Sequence, residues 1–409
     1  MVDNSIVKFI KETTNKLFGS LTDVSDTTAT LTKQLLLQKL IASGLIEPND
    51  IKKSLQIGID YFLNLKFNSY SSLSVDNQYE IIEREKFPVN SSENTTKHTL
   101  PDFDIEAYAL DAFYYLMNIY GNHSQKLQQS IKNGELEDLE NPANSGSLLY
   151  TTSDKKFIIK TVRDYEFKFI QQIFLKEYSN YMKLHGNQTY LTKFESMFGY
   201  IPYVTSPTAS LNVDSFTLRF IIFRNFIPIN LKIHEKYDLK GSSYGRDANI
   251  DENQNPSTTL KDNEFREKHP NGLIISSHDY NHIKDTLTRD TEVLKSLNIM
   301  DYSLLLVIHN MNRNDEKQKD DDNKNNNRND ISDDGISALN ENGERLLIYF
   351  GLIDLLQTFD VCKVIQHQWH SLQDGDDVDK RSINEPEFYA KRFQDFVFNS
   401  VFKSSSIDD

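Results

Sequence analysis

The chain of 409 residues contains a single cysteine, Cys362. One thiol cannot close a disulfide within the chain, so covalent stapling is excluded and a reducing, intracellular compartment is the expected setting. Long apolar runs are missing too: no stretch approaches the roughly 18–20 residues that a bilayer-spanning helix needs. The opening MVDNSIVKFIKETTNK lacks the apolar core of a secretory signal, and Val2 stands where N-myristoylation requires glycine. Basic residues are also short, 45 Lys and Arg against 60 Asp and Glu, for a formal net charge of −15. That balance argues against a nucleic-acid partner, which needs a basic face. It also argues against non-specific adhesion to anionic lipid, where each basic side chain contributes about 1 kcal/mol. It still allows a local basic patch.

What is present suits a soluble protein with a sizeable core, with 38% hydrophobic and 26% charged residues. Residues 1–29 are polar and Thr/Ser-rich. In TLTKQLLLQKLIASG (30–44), Leu31, Leu35, Leu36 and Leu40 have helical spacing and Gly44 stops the helix. This helix is expected to serve packing or a homodimer contact; its few basic residues disfavour a membrane-lying role. A second helix is expected over 50–63, a loop with one embedded element over 68–100, and a helix over FDIEAYALDAFYYLMNIYG (103–121). Short β-patterns dominate from about 146 to 225. Residues 311–345 are so rich in Asn and Asp that they cannot offset their ordering entropy, and they are expected to be a disordered acidic insertion.

Two acids flank this insertion at a distance. In NIMDYSLLLVIHN (298–310), Asp301 stands before an apolar strand; in RLLIYFGLIDLLQ (345–357), Asp354 ends another. If strands 303–309 and 346–352 pair antiparallel, the insertion closes one end and both acids emerge at the other. Two carboxylates brought together call for a cation, and Mg²⁺ carried by a phosphate ligand suits oxygen donors. Phosphoryl transfer uses such a pair, one acid at the attacking hydroxyl and one on the metal. Taken singly, each Asp could merely end a strand, and Asp354 could cap a following helix.

Upstream lie parts suited to phosphate. NPANSGSLLYTTSDKKFIIKTV (141–162) opens with small turn residues, among them Ser145, Gly146 and Ser147, whose amides can approach a phosphate. On the following strand Lys160 shares a face with Ile158, an ammonium on an otherwise apolar element, next to that loop. YDLKGSSYGRDA (237–248) gathers Asp238, Lys240 and Arg246 around two glycines, either as a second phosphate contact or as a charged surface turn.

With these motifs in view, the sequence resembles the phosphatidylinositol phosphate kinase family over roughly 50–402. ENPANSGSLLY, FIIKTV, KYDLKGSSYGRDA, IMDYSLLLVIH, ERLLIYFGLIDLLQ and HQWHSLQDGDD…FYAKRF follow that family's order. The resemblance implies an α+β, two-lobed kinase-like fold with an antiparallel sheet in the N-lobe, a mixed C-lobe, and ATP and Mg²⁺ between the lobes. It implies a leader over 1–49, an N-terminal lobe over 50–224, a C-terminal lobe over 225–402 and a tail over 403–409. It further implies that Ser145, Gly146, Ser147 and Lys160 hold the nucleotide, that Lys240 contacts the transferred phosphate, and that Arg224 and Asn225 lie in the adenine-binding strand and hinge (219–228). Asp301 would act at the inositol hydroxyl and Asp354 on Mg²⁺. An activation loop over about 366–389 would meet the lipid, placing the protein in the cytoplasm, peripheral at the cytosolic face of a membrane.

Departures from the family pattern bear on activity and substrate. Ala143 and Asn144 replace Gly-Ala in the glycine loop, and the helix acid that would pair with Lys160 is replaced at its usual position by Lys168, leaving Glu166 as the candidate. HQWHSLQDGDDV resembles the kinases that convert phosphatidylinositol 4-phosphate to the 4,5-bisphosphate, yet Gln366 stands where those carry a specificity-setting Glu. Asp247 after Arg246 resembles the 4-kinases that use phosphatidylinositol 5-phosphate. Arg246, Gln366, Lys380 and Arg381 are the candidate headgroup or membrane contacts. The leading expectation is a lipid kinase acting on phosphatidylinositol 4-phosphate. The alternatives are a 4-kinase and a weakly active phosphoinositide-binding scaffold. A soluble inositol phosphate kinase is disfavoured because His234 stands where that element carries proline.

Overall fold

The computed structural model describes residues 37–38, 40–69, 79–92, 95, 97–121, 123–139, 147–186, 188–203, 205–206, 209–210, 216–243, 245–248, 258–313, 335–359 and 385–405. The chain divides into two compact units: Met1–Lys183 with Lys193–Asn225, and Leu184–Thr192 with Phe226–Asp409. The first carries an antiparallel sheet and the second a mixed one, each with helices, the α+β arrangement of a kinase-like fold. Among the described residues no helix is long and apolar enough to cross a membrane.

The sheet of the first unit is built from β1 (Ile82–Phe87), β2 (Phe103–Tyr108), β3 (Glu137–Asp138), β4 (Leu149–Thr151), β5 (Phe157–Thr161), β6 (Phe194–Pro202) and β9 (Leu218–Arg224), in the order β1-β2-β6-β9-β5-β4-β3. A small ribbon of β7 (Thr205–Ser206) and β8 (Ala209–Ser210) lies between β6 and β9 in sequence. Helix α1 (Pro48–Ser69) starts on a proline, whose missing N–H costs nothing at a first turn. Ile51, Leu55, Ile59 and Phe62 recur on one face of α1 and are buried in one core with Phe103, Ile105, Ala107 and Phe198 of the sheet. Leu37, Leu40 and Ile46 join that core, so the described end of the leader packs on the unit.

Gly58 allows the closest approach of α1 to the sheet: a Cβ built there would lie 2.4 Å from Ile105 Cγ1. Alanine in a helix interior ordinarily gains about 0.5–1 kcal/mol over glycine. Overpacking a close-fitted core costs about 1–3 kcal/mol. The second effect wins, so Gly58→Ala is expected to lower stability by about 1–2 kcal/mol in chemical unfolding; a gain would show that Ile105 yields without strain.

Two expected elements are corrected here. The helix read over 103–121 is β2, then α2 (Leu110–Ile119), with Ala109 at φ 47° between them. Phe103, Ile105 and Ala107 alternate with Asp104 and Glu106, the period of a strand. Asp104, buried in this interior strand, is paired through Oδ2 with the Arg84 guanidinium at 2.6–2.7 Å. After α3 (His123–Lys132), the region read as dominated by short β-patterns contains α4 (Asp164–Phe169), a π-turn (Ile170–Phe174) and α5 (Leu175–His185). Tyr165, Phe167 and Phe169 alternate with charged residues, so local periodicity mimics a strand.

In the second unit the order is β10 (Glu235–Leu239), β12 (Ser303–Asn310), β14 (Arg345–Ile353), β13 (Ile336–Leu339), β11 (Leu273–Ile275) and β15 (Phe402–Ser404); β11 and β15 run parallel. Short α6 (Asp262–Lys268) follows β10, and α7 (Ser277–Ser296), capped by Ser276 Oγ on the Asp279 amide, lies beside α8 (Pro386–Phe396). Residues 184–192 are held in this unit by Asp290, which accepts from Thr189 Oγ1 at 2.7 Å and from the Tyr190 amide at 2.8 Å. The Asn/Asp-rich segment is shorter at its C-terminal end than expected. β13 lies inside the 311–345 span and bonds through its backbone to both β14 and β11.

One buried cluster of this unit makes stability depend on pH. Glu235 Oε2 accepts from His269 Nε2 at 2.9 Å and from the Tyr237 hydroxyl. Burial opposes its charge, but these hydrogen bonds prevail and hold the carboxyl at about 2, down from 4.5. The unfolded chain therefore takes up the proton first. The contribution is complete above about pH 5 and is lost as pH falls towards 2. Glu235→Gln is expected to cost about 2–3 kcal/mol at pH 7 in urea unfolding. The gap from wild type should narrow below pH 4.5, and a gap that is flat with pH would refute this linkage.

Candidate active site

In the first unit, β5 places Lys160 opposite Leu149 of β4 and Ile221 of β9. Phe157 and Ile159 are buried on the other face, as the alternation predicts, and Lys160 is half-buried. The Leu148 amide donates to Thr161 Oγ1 at 3.0 Å and its carbonyl accepts from the Thr161 amide at 3.0 Å. The chain leaving Ser147 is thus zipped to the end of β5 beside Lys160. Ser145 and Gly146 lie outside the described residues. Glu166 Oε2 accepts from the Arg163 amide at 2.7 Å, capping α4, while Lys168 is exposed.

Arg224 and Asn225 follow from β9. The Asn225 amide donates to the Lys156 carbonyl and its side-chain Nδ2 to the Lys155 carbonyl, both at 2.8 Å. Arg224 Nη1 lies 2.6 Å from His123 Nε2, and His123 Nδ1 lies 2.8 Å from Glu195 Oε1. A guanidinium can only donate, so Nε2 accepts and the ring proton sits on Nδ1, directed at the carboxylate. His123 and Glu195 are fully buried. Glu195 is the extra residue of a bulge in the β6–β9 ladder, where the register jumps from Phe194 to Ser196. Sequence reading missed both residues; the only local signal was an acid in the apolar run of β6.

In the second unit, β12 and β14 pair with Ser303 opposite Ile353 and Asn310 opposite Leu346. Asp301 lies just before β12 and Asp354 just after β14, so the chain brings both acids to the same end of the ladder. Pairing resumes beyond them, with the Met300 amide on the Gln357 carbonyl at 2.9 Å and a bridge between Ile299 and Thr358. The acids thus sit in an interruption, and each has φ 62°, a left-handed conformation that Asp tolerates better than most residues. Asp354 is exposed. Asp301 Oδ1 accepts from Lys240 Nζ at 2.8 Å, with side chains 21% and 12% exposed. Two residues from distant motifs therefore form one ion pair.

Arg246, a candidate headgroup contact, is engaged within this unit. Its Nε donates to Asp262 Oδ2 at 2.6 Å, and its Nη2 to Asp238 Oδ1 at 3.1 Å and to the Asp238 carbonyl. The side chain is 10% exposed. Burial opposes the charge, but Asp262 and Asp238 more than offset it and hold the guanidinium above its usual pKa. Asp262 was not anticipated from sequence, nor was Arg392, stacked 5.1 Å from the Tyr389 ring on α8. Burial depresses the Arg392 pKa against the attraction of Tyr389, Asp262 and Asp301. Gln366, Lys380 and Arg381 lie outside the described residues.

Comparisons with known proteins identify the family. Residues 130–400 match the sequence profile of the family described as phosphatidylinositol-4-phosphate 5-kinase. The chain is 34% identical over 384 residues to phosphatidylinositol 4-phosphate 5-kinase type-1 alpha of Mus musculus, covering 86% of this chain and 67% of that one. Identity to the type-1 beta protein of Mus musculus is 34% over 387 residues, with 86% and 68% covered. To the type-1 sktl protein of Drosophila melanogaster it is 31% over 441 residues, with 88% and 54% covered. The chain thus spans about two thirds of its mammalian type-1 alpha relatives, 67% in mouse and 65% in human.

Proposed function

Because the chain belongs to the phosphatidylinositol-4-phosphate 5-kinase family, we propose that it transfers the γ-phosphoryl group of ATP to an inositol hydroxyl of phosphatidylinositol 4-phosphate, giving the 4,5-bisphosphate. The observation that carries this reading is the Lys240–Asp301 pair at the end of the β12–β14 ladder from which Asp354 also emerges. Asp301 would accept the proton of the attacking hydroxyl. Lys240, bonded to Asp301, would turn its ammonium to the phosphoryl group as charge spreads over its oxygens. Lys160, Ser147 and the strand end at Arg224–Asn225 would hold the nucleotide. Little covalent work falls to the protein in such a transfer, so positioning and electrostatics supply the rate.

Mg²⁺ is commonly held by one or two carboxylates, with phosphate oxygens and water completing its shell. Asp354, an exposed carboxylate at a strand end, fits that need. When bound, the ion would neutralise charge on the phosphates. The protein would work at the cytosolic face of a membrane, where its lipid resides.

The deciding experiment incubates the protein with ATP, Mg²⁺ and vesicles containing each of the three monophosphorylated phosphatidylinositols, and identifies the bisphosphate formed. The 4,5-isomer made from the 4-phosphate is expected. Product from the 5-phosphate alone, or from soluble inositol phosphates alone, would overturn the reading.

A further inference from the structure

Lys240 reaches Asp301 on a flexible four-carbon stem, so the backbone at 240 must be held for the ammonium to be aimed. One buried carboxylate does this. Oδ1 of Asp262 accepts from the amides of three successive residues, Lys240 at 3.0 Å, Gly241 at 2.7 Å and Ser242 at 3.3 Å. Its Oδ2 takes Nε of Arg246 at 2.6 Å, and Arg246 continues to Asp238 in β10. Asp262 is fully buried. A carboxylate so placed costs several kcal/mol of lost hydration unless its oxygens are filled, and here four donors fill them.

The opposite side of the segment is pinned as well. Gly241 has φ 71°, and a Cβ there would lie 3.0 Å from Phe396 Cβ and 3.2 Å from the Arg392 carbonyl oxygen of α8. A generic loop anchor would account for a buried acid near 240–246. It would not require that three amides in a row, beginning with that of Lys240, converge on one oxygen.

We propose that Asp262 is a positioning residue of the phosphoryl transfer: by gathering the amides of 240–242 and the guanidinium of Arg246, it fixes the backbone from which Lys240 meets Asp301. The inference rests on the role given to Lys240 above. Misplacement by about 1 Å can cost on the order of 10²-fold in rate, so a partial loosening is felt in kcat before substrate binding.

The test is a double-mutant cycle on the full chain, with kcat and KM measured on phosphatidylinositol 4-phosphate vesicles. Asp262→Asn keeps an acceptor for the amides but removes the charge facing Arg246. It is expected to lower kcat about tenfold and to leave KM for ATP within about twofold. In a Lys240→Met background the same substitution is expected to change kcat no further, because the group it aims is gone. An equal loss in both backgrounds, or an unchanged kcat in the folded single variant, overturns the proposal. Should Asp262→Asn fail to fold by circular dichroism, Arg246→Lys, which keeps a cation beside the carboxylate but loses one arm, runs the same cycle with the same criteria. A Lys240→Met variant with wild-type kcat would instead refute the role of Lys240, and the inference with it.

Discussion

Asp354→Ala is expected to abolish lipid phosphorylation, with a fall in kcat of about 10³-fold or more, because in the proposed reading it removes the carboxylate for a charge-neutralising ion and with it several kcal/mol of transition-state stabilisation. The substitution also perturbs the backbone, because Asp354 has φ 62° and alanine there costs roughly 1–2 kcal/mol. Two companions separate the effects. Asp354→Gly accepts the left-handed conformation, and Asp354→Asn tolerates it while keeping the shape; neither carries the charge. All three should be inactive, while thermal unfolding places Gly and Asn close to wild type and Ala below them. Activity retained in the Asn variant would separate the carboxylate from the chemistry.

Asp301→Asn is the second large effect. Asparagine keeps the left-handed backbone that Asp301 adopts at φ 62° and can still accept from Lys240, so the fold and nucleotide affinity should hold. It cannot take a proton from the attacking hydroxyl, and general-base assistance is worth about 10²–10⁴-fold. The expected result is that loss in kcat, with KM for ATP altered by less than about threefold. A variant that turns over at the wild-type rate would remove Asp301 from the reaction. One whose KM rises while kcat stands would make it a binding residue only.

Much of the second unit's site was legible because its signals are local. An apolar run with an acid at its edge, repeated across an Asn/Asp-rich spacer, describes two strands and the residues that leave them. Antiparallel pairing then puts both acids at one end, as the register of 303–310 with 346–353 shows. Lys160 was legible by the same logic, as one ammonium in an alternating strand. The failures share a cause. The periodicities of 103–108 and 164–169 are too short to separate helix from strand: β1 and β6, distant in sequence, flank the first as a strand, whereas a local cap, Glu166 on the Arg163 amide, marks the second as a helix.

Arg246 shows the deeper limit. From sequence it was a cation beside glycines, in a segment open to a phosphate contact or a charged surface turn; the fold buries it between Asp238 and Asp262. Residue order alone reveals which segments alternate, where the acids and lysines stand along them, and that one cysteine cannot close a disulfide within the chain, because these follow from composition and the fixed geometry of strand and helix. Only the tertiary structure decided which charges meet: Lys240 with Asp301 across 61 residues, Arg246 with Asp262, and His123 with Glu195 across 72. Such pairs form where chain segments far apart in sequence are packed together, and the cost of burying a charge then selects the partner.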